Sequence, residues 1–418
     1  MSTHIEQLTY KENRLTFGSV HLDELATRFG TPLYIYNFDI VKKRIESLKN
    51  GIGSRSNLIC FALKSNSNPK LLQFLHNLGI GADVVSGGEL MLARKAGIPP
   101  SRIVFSGVAK SNEEIALGIS EDILSFNVET PGEVKRISQA AKSKGIQAKI
   151  SLRINPNINA KTHPKIATGL YDTKFGLDPN EVSLQAKLIS QDPNLILSGI
   201  SCHIGSQILD LNPLKEAAVF MRDFARTLRA SGHQLTHIDV GGGLGVAYIP
   251  EDTKKAVDLE SYGQMIRDIF ADDPATIVFE PGRSIVAESG ILLTRVIEVK
   301  KNLRKQFVLI DVGMNDLIRP SIYDAYHHIY TVWKKSSPSV EESVDIVGPV
   351  CETGDYIALD RSLTIPKEGE YLAICHAGAY GYSMSSNYNT RPRPAEIAIN
   401  SGEVSLIRKR ELIKDLID

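Results

Sequence analysis

Several apolar runs in this chain end on side chains that can carry charge or attack a carbonyl. In "LICFALKSNSNPK" a run from Leu58 to Leu63 leads straight into Lys64 and a polar turn. A lysine ammonium is rarely buried alone because it loses its water. Either the run has reached the surface and Lys64 extends to solvent, or it ends at a pocket where an amine does covalent chemistry. Comparable runs lead to Asp83, carry Arg153, reach His203 and Ser206 in "SCHIGSQ", and end in Glu280 and Arg283 in "FEPGRS". Taken singly, His203 also reads as a hydrogen-bonded core histidine and Arg153 as the partner of a carboxylate. The set is harder to dismiss, because "DVGGGLG" and "EPGR" add glycine loops directly after two of the runs. Gly241, Gly242 and Gly243 let backbone N–H groups come close to an anion, although glycine clusters also make plain tight turns. "GGGLG" does not fit G-x-G-x-x-G, which disfavours a dinucleotide site.

Eight such runs, from "LICFALKS" to "TIVFEPGR", alternate with stretches whose apolar residues recur three and four apart, such as "PKLLQFLHNLG" and "PGEVKRISQAAKSKG". Eight strand–helix units predict a parallel sheet closed as a (β/α)8 TIM barrel, with an open doubly wound sheet as the alternative. In a barrel the site gathers at the C-terminal strand ends, and phosphate binds after strands seven and eight, where the two glycine loops fall. Beyond about residue 290 short strands divided by turns indicate a C-terminal all-β domain. The expected division is a barrel over residues 37–288 and a β-rich domain from residues 1–36 plus 289–418. Lys and Arg balance Asp and Glu at 48 each, so nothing draws the chain to nucleic acid or anionic membranes. No apolar run approaches the roughly 20 residues of a membrane span. The N-terminus has no signal pattern. Cys60, Cys202 and Cys375 sit in apolar runs and Cys351 in an acidic turn, with no CxxC pair, which fits a reduced, cytoplasmic enzyme.

One cofactor wants this set of groups. It carries a phosphate for the glycine loops, an aldehyde for Lys64, a ring nitrogen kept protonated by a carboxylate, and a flat face to be covered. Pyridoxal 5'-phosphate meets all four demands. Lys64 would bond to the aldehyde, Glu280 would hold the ring nitrogen's proton, His203 would stack on the ring, and Arg153 would keep Glu280 ionised.

The motif series "FALKSN", "HIGSQ", "GGGLG", "EPGRS", "CETGD" and "GAYGYSMSSNYNTRPRPAE" resembles that of the fold type III (alanine-racemase-like) pyridoxal-phosphate decarboxylases, in the same order and over nearly the whole chain. It most resembles the branch acting on diaminopimelate. Phe61 and Ser65 depart from the Tyr and Ala common around that lysine. The resemblance implies a homodimer with shared active sites and the reaction meso-2,6-diaminopimelate to L-lysine and carbon dioxide, closing lysine biosynthesis. It places Lys64 at the cofactor aldehyde. Asp83, Arg153, His203, Ser206, Gly241 to Gly243, Glu280, Pro281, Gly282, Arg283 and Tyr380 fall around phosphate and ring. Arg283, Arg319, Tyr323, Glu352 and Tyr380 map to the substrate. Cys351 maps to the proton donor, and the partner subunit supplies it together with Glu352.

Charge supports that substrate class. A distal amino-acid end needs a cationic grip on its carboxylate, which Arg283 and Arg319 offer, and an anion for its ammonium, which Glu352 offers. Ornithine or lysine would leave an arginine pair uncompensated. Arg319 alone also reads as a surface strand-end residue. A polyamine-type decarboxylase and an amino-acid racemase are the sibling alternatives; an inactive protein-binding homologue should have lost Lys64, Glu280 or Cys351. His327 and His328 lack the spacing and acidic partners of a metal site, so none is expected. The polar insert "NINAKTHPKIATGLYDTKFG" is the expected lid or interface element.

Overall fold

The computed structural model describes residues 5–160, 168–170, 172–254, 256–334 and 340–417. Part of the insert expected to act as a lid, residues 161–167 and 171, lies outside them. The chain divides into two compact units. One holds residues 44–246 and 255–284; the other holds residues 1–43, 247–254 and 285–418.

The first unit is a closed barrel of eight parallel strands. In chain order they are Asn57–Ala62, Gly81–Val84, Ile103–Phe105, Ser125–Val128, Ala148–Arg153, Leu195–Ser201, His237–Asp239 and Thr276–Phe279. Each is hydrogen-bonded to the next, and the eighth closes on the first through the pairing of Val278 with Leu58. The runs read from the sequence are therefore the strands, in the expected order. Their side chains are almost wholly buried, as strands covered on both faces require. The helices between them start on polar caps. Ser111 and Glu114 form a reciprocal capping box, and Thr130 accepts from the Glu133 amide with Pro131 in the first turn. The polar turn after Lys64 has the same use: Asn68 Oδ1 accepts from the Lys70 amide and so caps helix Pro69–Asn77.

The second unit is built on a nine-stranded sheet. An N-terminal strand, Leu33–Asn37, lies inside it, antiparallel to Gly290–Lys301 and parallel to Ala395–Asn400. Its core includes Leu33, Ile35, Ile291, Leu293, Cys375 and Ile397. Cys60, Cys202 and Cys375 are buried free thiols, whereas Cys351 is exposed. No helix among the described residues is long and apolar enough to cross a membrane.

Within the barrel Phe126 stacks on Phe105 with ring centroids 5.9 Å apart and is fully buried. Phe126→Ala is expected to cost about 3–5 kcal/mol, read as a lower urea midpoint; an unchanged midpoint would contradict this packing.

Candidate active site

The C-terminal strand ends of the barrel bring together the residues singled out in the sequence. Lys64 lies two residues beyond the end of the first strand at Ala62, in a single 3-10 turn spanning Leu63–Ser65. Its Nζ donates to Asp83 Oδ2 at 3.1 Å, from the end of the second strand, and Asp83 is fully buried. The lysine thus ends its strand beside an interior carboxylate rather than in open solvent.

Glu280 follows the eighth strand. Its Oε1 accepts from Ser106 Oγ and from Asn127 Nδ2, each at 3.1 Å. Asn127 also donates to Asp239 Oδ2 at 3.1 Å, and Asp239 Oδ1 accepts from the Gly241 amide at 2.8 Å. Burial, then the nearby charges of Asp239 and Asp83, push the Glu280 carboxyl well above its usual range. Burial is also the main reason Asp239 rises, to about 6. Glu280 and Asp239 therefore hold protons jointly in the cofactor-free chain.

The arginine expected to keep Glu280 ionised does something else. Arg153 Nη1 donates to Glu129 Oε1 at 2.6 Å, and its guanidinium lies over the Phe175 ring. The reason is strand order: Val128 pairs with Leu152, which puts Glu129 beside Arg153, while Glu280 comes from the eighth strand. Glu129 in turn accepts from the Gly176 amide. Arg153 Nη2 also reaches the His203 carbonyl at 3.5 Å.

His203 Nδ1 accepts from the Gly242 amide at 3.2 Å, so a neutral His203 carries its proton on Nε2. Burial first, then Lys64 and Arg153, hold its pKa well below the usual value. Two of the three glycine amides offered to an anion are thus already used, by Asp239 and His203. The Gly243 amide makes no hydrogen bond among the described residues. The glycines are needed sterically as well. A Cβ on Gly242 would sit 2.2 Å from the Glu280 carbonyl, and Gly241 has φ 68°. Arg283 Nη2 donates to Ser206 Oγ at 3.2 Å, which joins the loops after strands six and eight.

Pyridoxal phosphate fits these residues. The mouth holds an amine, and three buried carboxylates whose charge one ammonium offsets only in part. Asp83 Oδ1 and Asn127 Oδ1 are buried and lack hydrogen-bond partners among the described residues. A cationic ring nitrogen at Glu280 would supply charge where the barrel lacks it.

The remaining candidates lie in the second unit. Arg319 opens the short helix Arg319–Tyr323 and is buried; Tyr323 ends it, half-buried. Cys351 and Glu352 are exposed, and Glu352 Oε1 accepts from Tyr388 OH. Tyr380 is half-buried with φ 57°, a left-handed backbone that a bulky side chain rarely adopts and that often marks a functional position.

Ser106, Asn127, Glu129 and Asp239 were missed as individual residues, although each occupies or follows a strand end. Asp239 supplies a test. Its carboxyl moves from 3.8 in an unfolded chain to about 6, so the folded chain holds protons that the unfolded chain has released. Stability from this cluster is present below that window and is lost as pH rises through it. Glu280→Gln keeps an oxygen for Ser106 and Asn127 but removes one titrating carboxyl. Across that rise the cofactor-free variant should lose about 1–3 kcal/mol less stability than the native chain, read from thermal midpoints; parallel curves would contradict the shared proton.

A family model described as "Pyridoxal-dependent decarboxylase, pyridoxal binding domain" matches residues 39–287. A diaminopimelate decarboxylase of Aquifex aeolicus is 47% identical over 404 residues, covering 97% of this chain and 95% of that one. A solved diaminopimelate decarboxylase from Helicobacter pylori, complexed with L-lysine, is 45% identical with a TM-score of 0.90, covering 95% of this chain and 98% of that one. One from M. jannaschii, also in complex with L-lysine, is 37% identical with a TM-score of 0.93, covering 99% and 97%. With a lysine and a buried glutamate at the barrel mouth and this similarity along its length, the chain belongs to the diaminopimelate decarboxylase family of pyridoxal-dependent enzymes.

Proposed function

We propose that this chain removes carbon dioxide from meso-2,6-diaminopimelate and leaves L-lysine, the last step of lysine biosynthesis. The observation that carries the reading is the pairing of Lys64 with a buried carboxylate in a mouth that also holds Glu280 and Asp239. Lys64 would hold the aldehyde of pyridoxal phosphate and Glu280 its ring nitrogen. His203 would cover its face, and Gly243, Ser206, Gly282 and Tyr380 would lie around its phosphate. When bound, the cofactor supplies an aldehyde for the substrate amine and a cationic ring that takes up the electrons left as the carboxylate departs.

The chain's own groups set where those events occur. A cation beside Glu280 favours its ionised form and so opposes the rise that burial causes. Neutral His203 adds no positive charge of its own to the mouth. Arg283 and Arg319 suit the distal carboxylate of the substrate and Glu352 its ammonium, while Tyr323 adds a hydroxyl. The Cys351 thiol gives its proton to the substrate Cα after carbon dioxide has left. Both Cys351 and Glu352 are exposed on the single chain, which supports their delivery to a partner subunit's site in a homodimer. The balanced net charge supports an enzyme that binds no nucleic acid, and the scattered free cysteines support a cytoplasmic one.

Carbon dioxide release should be measured with added pyridoxal phosphate on meso-diaminopimelate, its LL isomer, L-ornithine, L-lysine and L-arginine. Release from the meso isomer, with lysine as product, is expected. Release from ornithine or arginine instead would overturn the substrate assignment. Cys351→Ala should lower kcat by about 10²-fold with little change in KM, as loss of a proton donor does. Mixing Lys64→Ala chains with Cys351→Ala chains should restore about a quarter of native activity if subunits exchange and share sites. Two inactive proteins that stay inactive after demonstrated exchange would refute shared sites.

A further inference from the structure

His327 was set aside as a metal ligand, and the reaction outlined above gives it no role. It is nonetheless fully buried and touches Arg319. His327 Nδ1 lies 2.8 Å from the Cys375 carbonyl, and Nε2 lies 2.9 Å from Arg319 Nη1. A carbonyl can only accept and a guanidinium can only donate. One protonation state satisfies both contacts: a neutral ring with its hydrogen on Nδ1 and a lone pair on Nε2. A second proton would set Nε2–H against Arg319 Nη1–H. Burial and then the neighbouring Arg319 charge hold the ring well below its usual pKa, which agrees with that state.

The surroundings hold this arrangement in place. Arg361 Nη1 donates to the His327 carbonyl at 2.9 Å. The buried Tyr248 ring packs edge-on against both His327 and His376, with centroids 5.7 and 5.5 Å away, and the Arg319 guanidinium lies over its face at 4.5 Å. Neither the tyrosine face nor the neutral imidazole neutralises the guanidinium. Both bear on its plane, and neither brings an opposing charge. A glutamate at position 327 would hold the same nitrogen but cancel that charge.

We propose that His327 is a positioning residue for substrate selection: as a neutral acceptor locked in one tautomer, it orients Arg319 toward the substrate's distal carboxylate without consuming its charge, with Tyr248 as the platform beneath. This rests on the assignment of Arg319 to the substrate.

The test uses the holoenzyme and steady-state kinetics on meso-diaminopimelate. His327→Leu fills the space but removes the acceptor. It should raise KM about tenfold and leave kcat within about twofold, since the lost interaction is one of binding. His327→Gln, whose amide oxygen can accept from Arg319, should recover most of the loss. In an Arg319→Leu background, His327→Leu should add nothing further, because its effect passes through Arg319. An unchanged KM in His327→Leu, a fall in kcat alone, or equal effects with and without Arg319 would overturn the proposal. If Arg319→Leu itself leaves KM unchanged, the assignment of Arg319 fails and takes the positioning role with it; a raised KM there with a silent His327→Leu sinks the positioning role alone. Should His327→Leu fail to bind cofactor, judged by its absorbance, His327→Gln against His327→Glu decides. The glutamate should raise KM well above the glutamine variant, and equal values would overturn the proposal.

Discussion

Asp83, Asp239 and Glu280 crowd their carboxylates into the mouth of one barrel, and much of the local structure follows from that repulsion. Each is buried, so water cannot screen it. The chain answers with one ammonium from Lys64, a hydrogen-bond bridge through Asn127, and protons held well above the usual carboxylate range. It is an arrangement short of positive charge. A cationic ring is the ligand that such a site would be expected to hold, which makes the electrostatic deficit part of cofactor recognition rather than a flaw in packing.

Positive charge elsewhere is kept from collapsing onto that deficit. Arg153 lies near His203, yet it is tied to Glu129 by their adjacent strands. Lys110, also buried, is tied to Glu133 and to the carbonyls of Gly107 and Asn127. Glu133 accepts from the Glu129 amide, so the two pairs form one connected layer. Each cation is matched locally, and the acidic mouth keeps its unmet charge.

The barrel was legible because its signals are local. Apolar runs of the right length, separated by capped helices, name the eight strands, and the glycines after the last two locate the mouth. What was not legible is which strand end faces which. Arg153 and Glu280 looked like partners because both are charged strand ends; the pairing of Val128 with Leu152 shows that Glu129 lies nearer in the sheet. Asp239 and Asn127 were hidden for a related reason. Their importance comes from a contact across the barrel, which neither run reveals alone. His327 was left without a role for a different reason: its spacing argued against a metal, and only the Cys375 carbonyl and the Arg319 guanidinium, one on each ring nitrogen, show what it holds.

The place of Leu33–Asn37 in its sheet has a consequence for how the chain assembles. Both of its neighbouring strands, Gly290–Lys301 and Ala395–Asn400, are made after every strand of the barrel. During synthesis this fully buried segment waits for its first neighbour until every barrel strand has been made, and for its second until well after that, whereas the barrel strands meet their partners in succession. Closing that sheet joins the two ends of the chain, and long-range pairing of this kind is slow and leaves sticky edges open in the meantime. The maturing polypeptide is therefore most vulnerable to aggregation at its N-terminal strand, in the interval between completion of the barrel and arrival of the last strands.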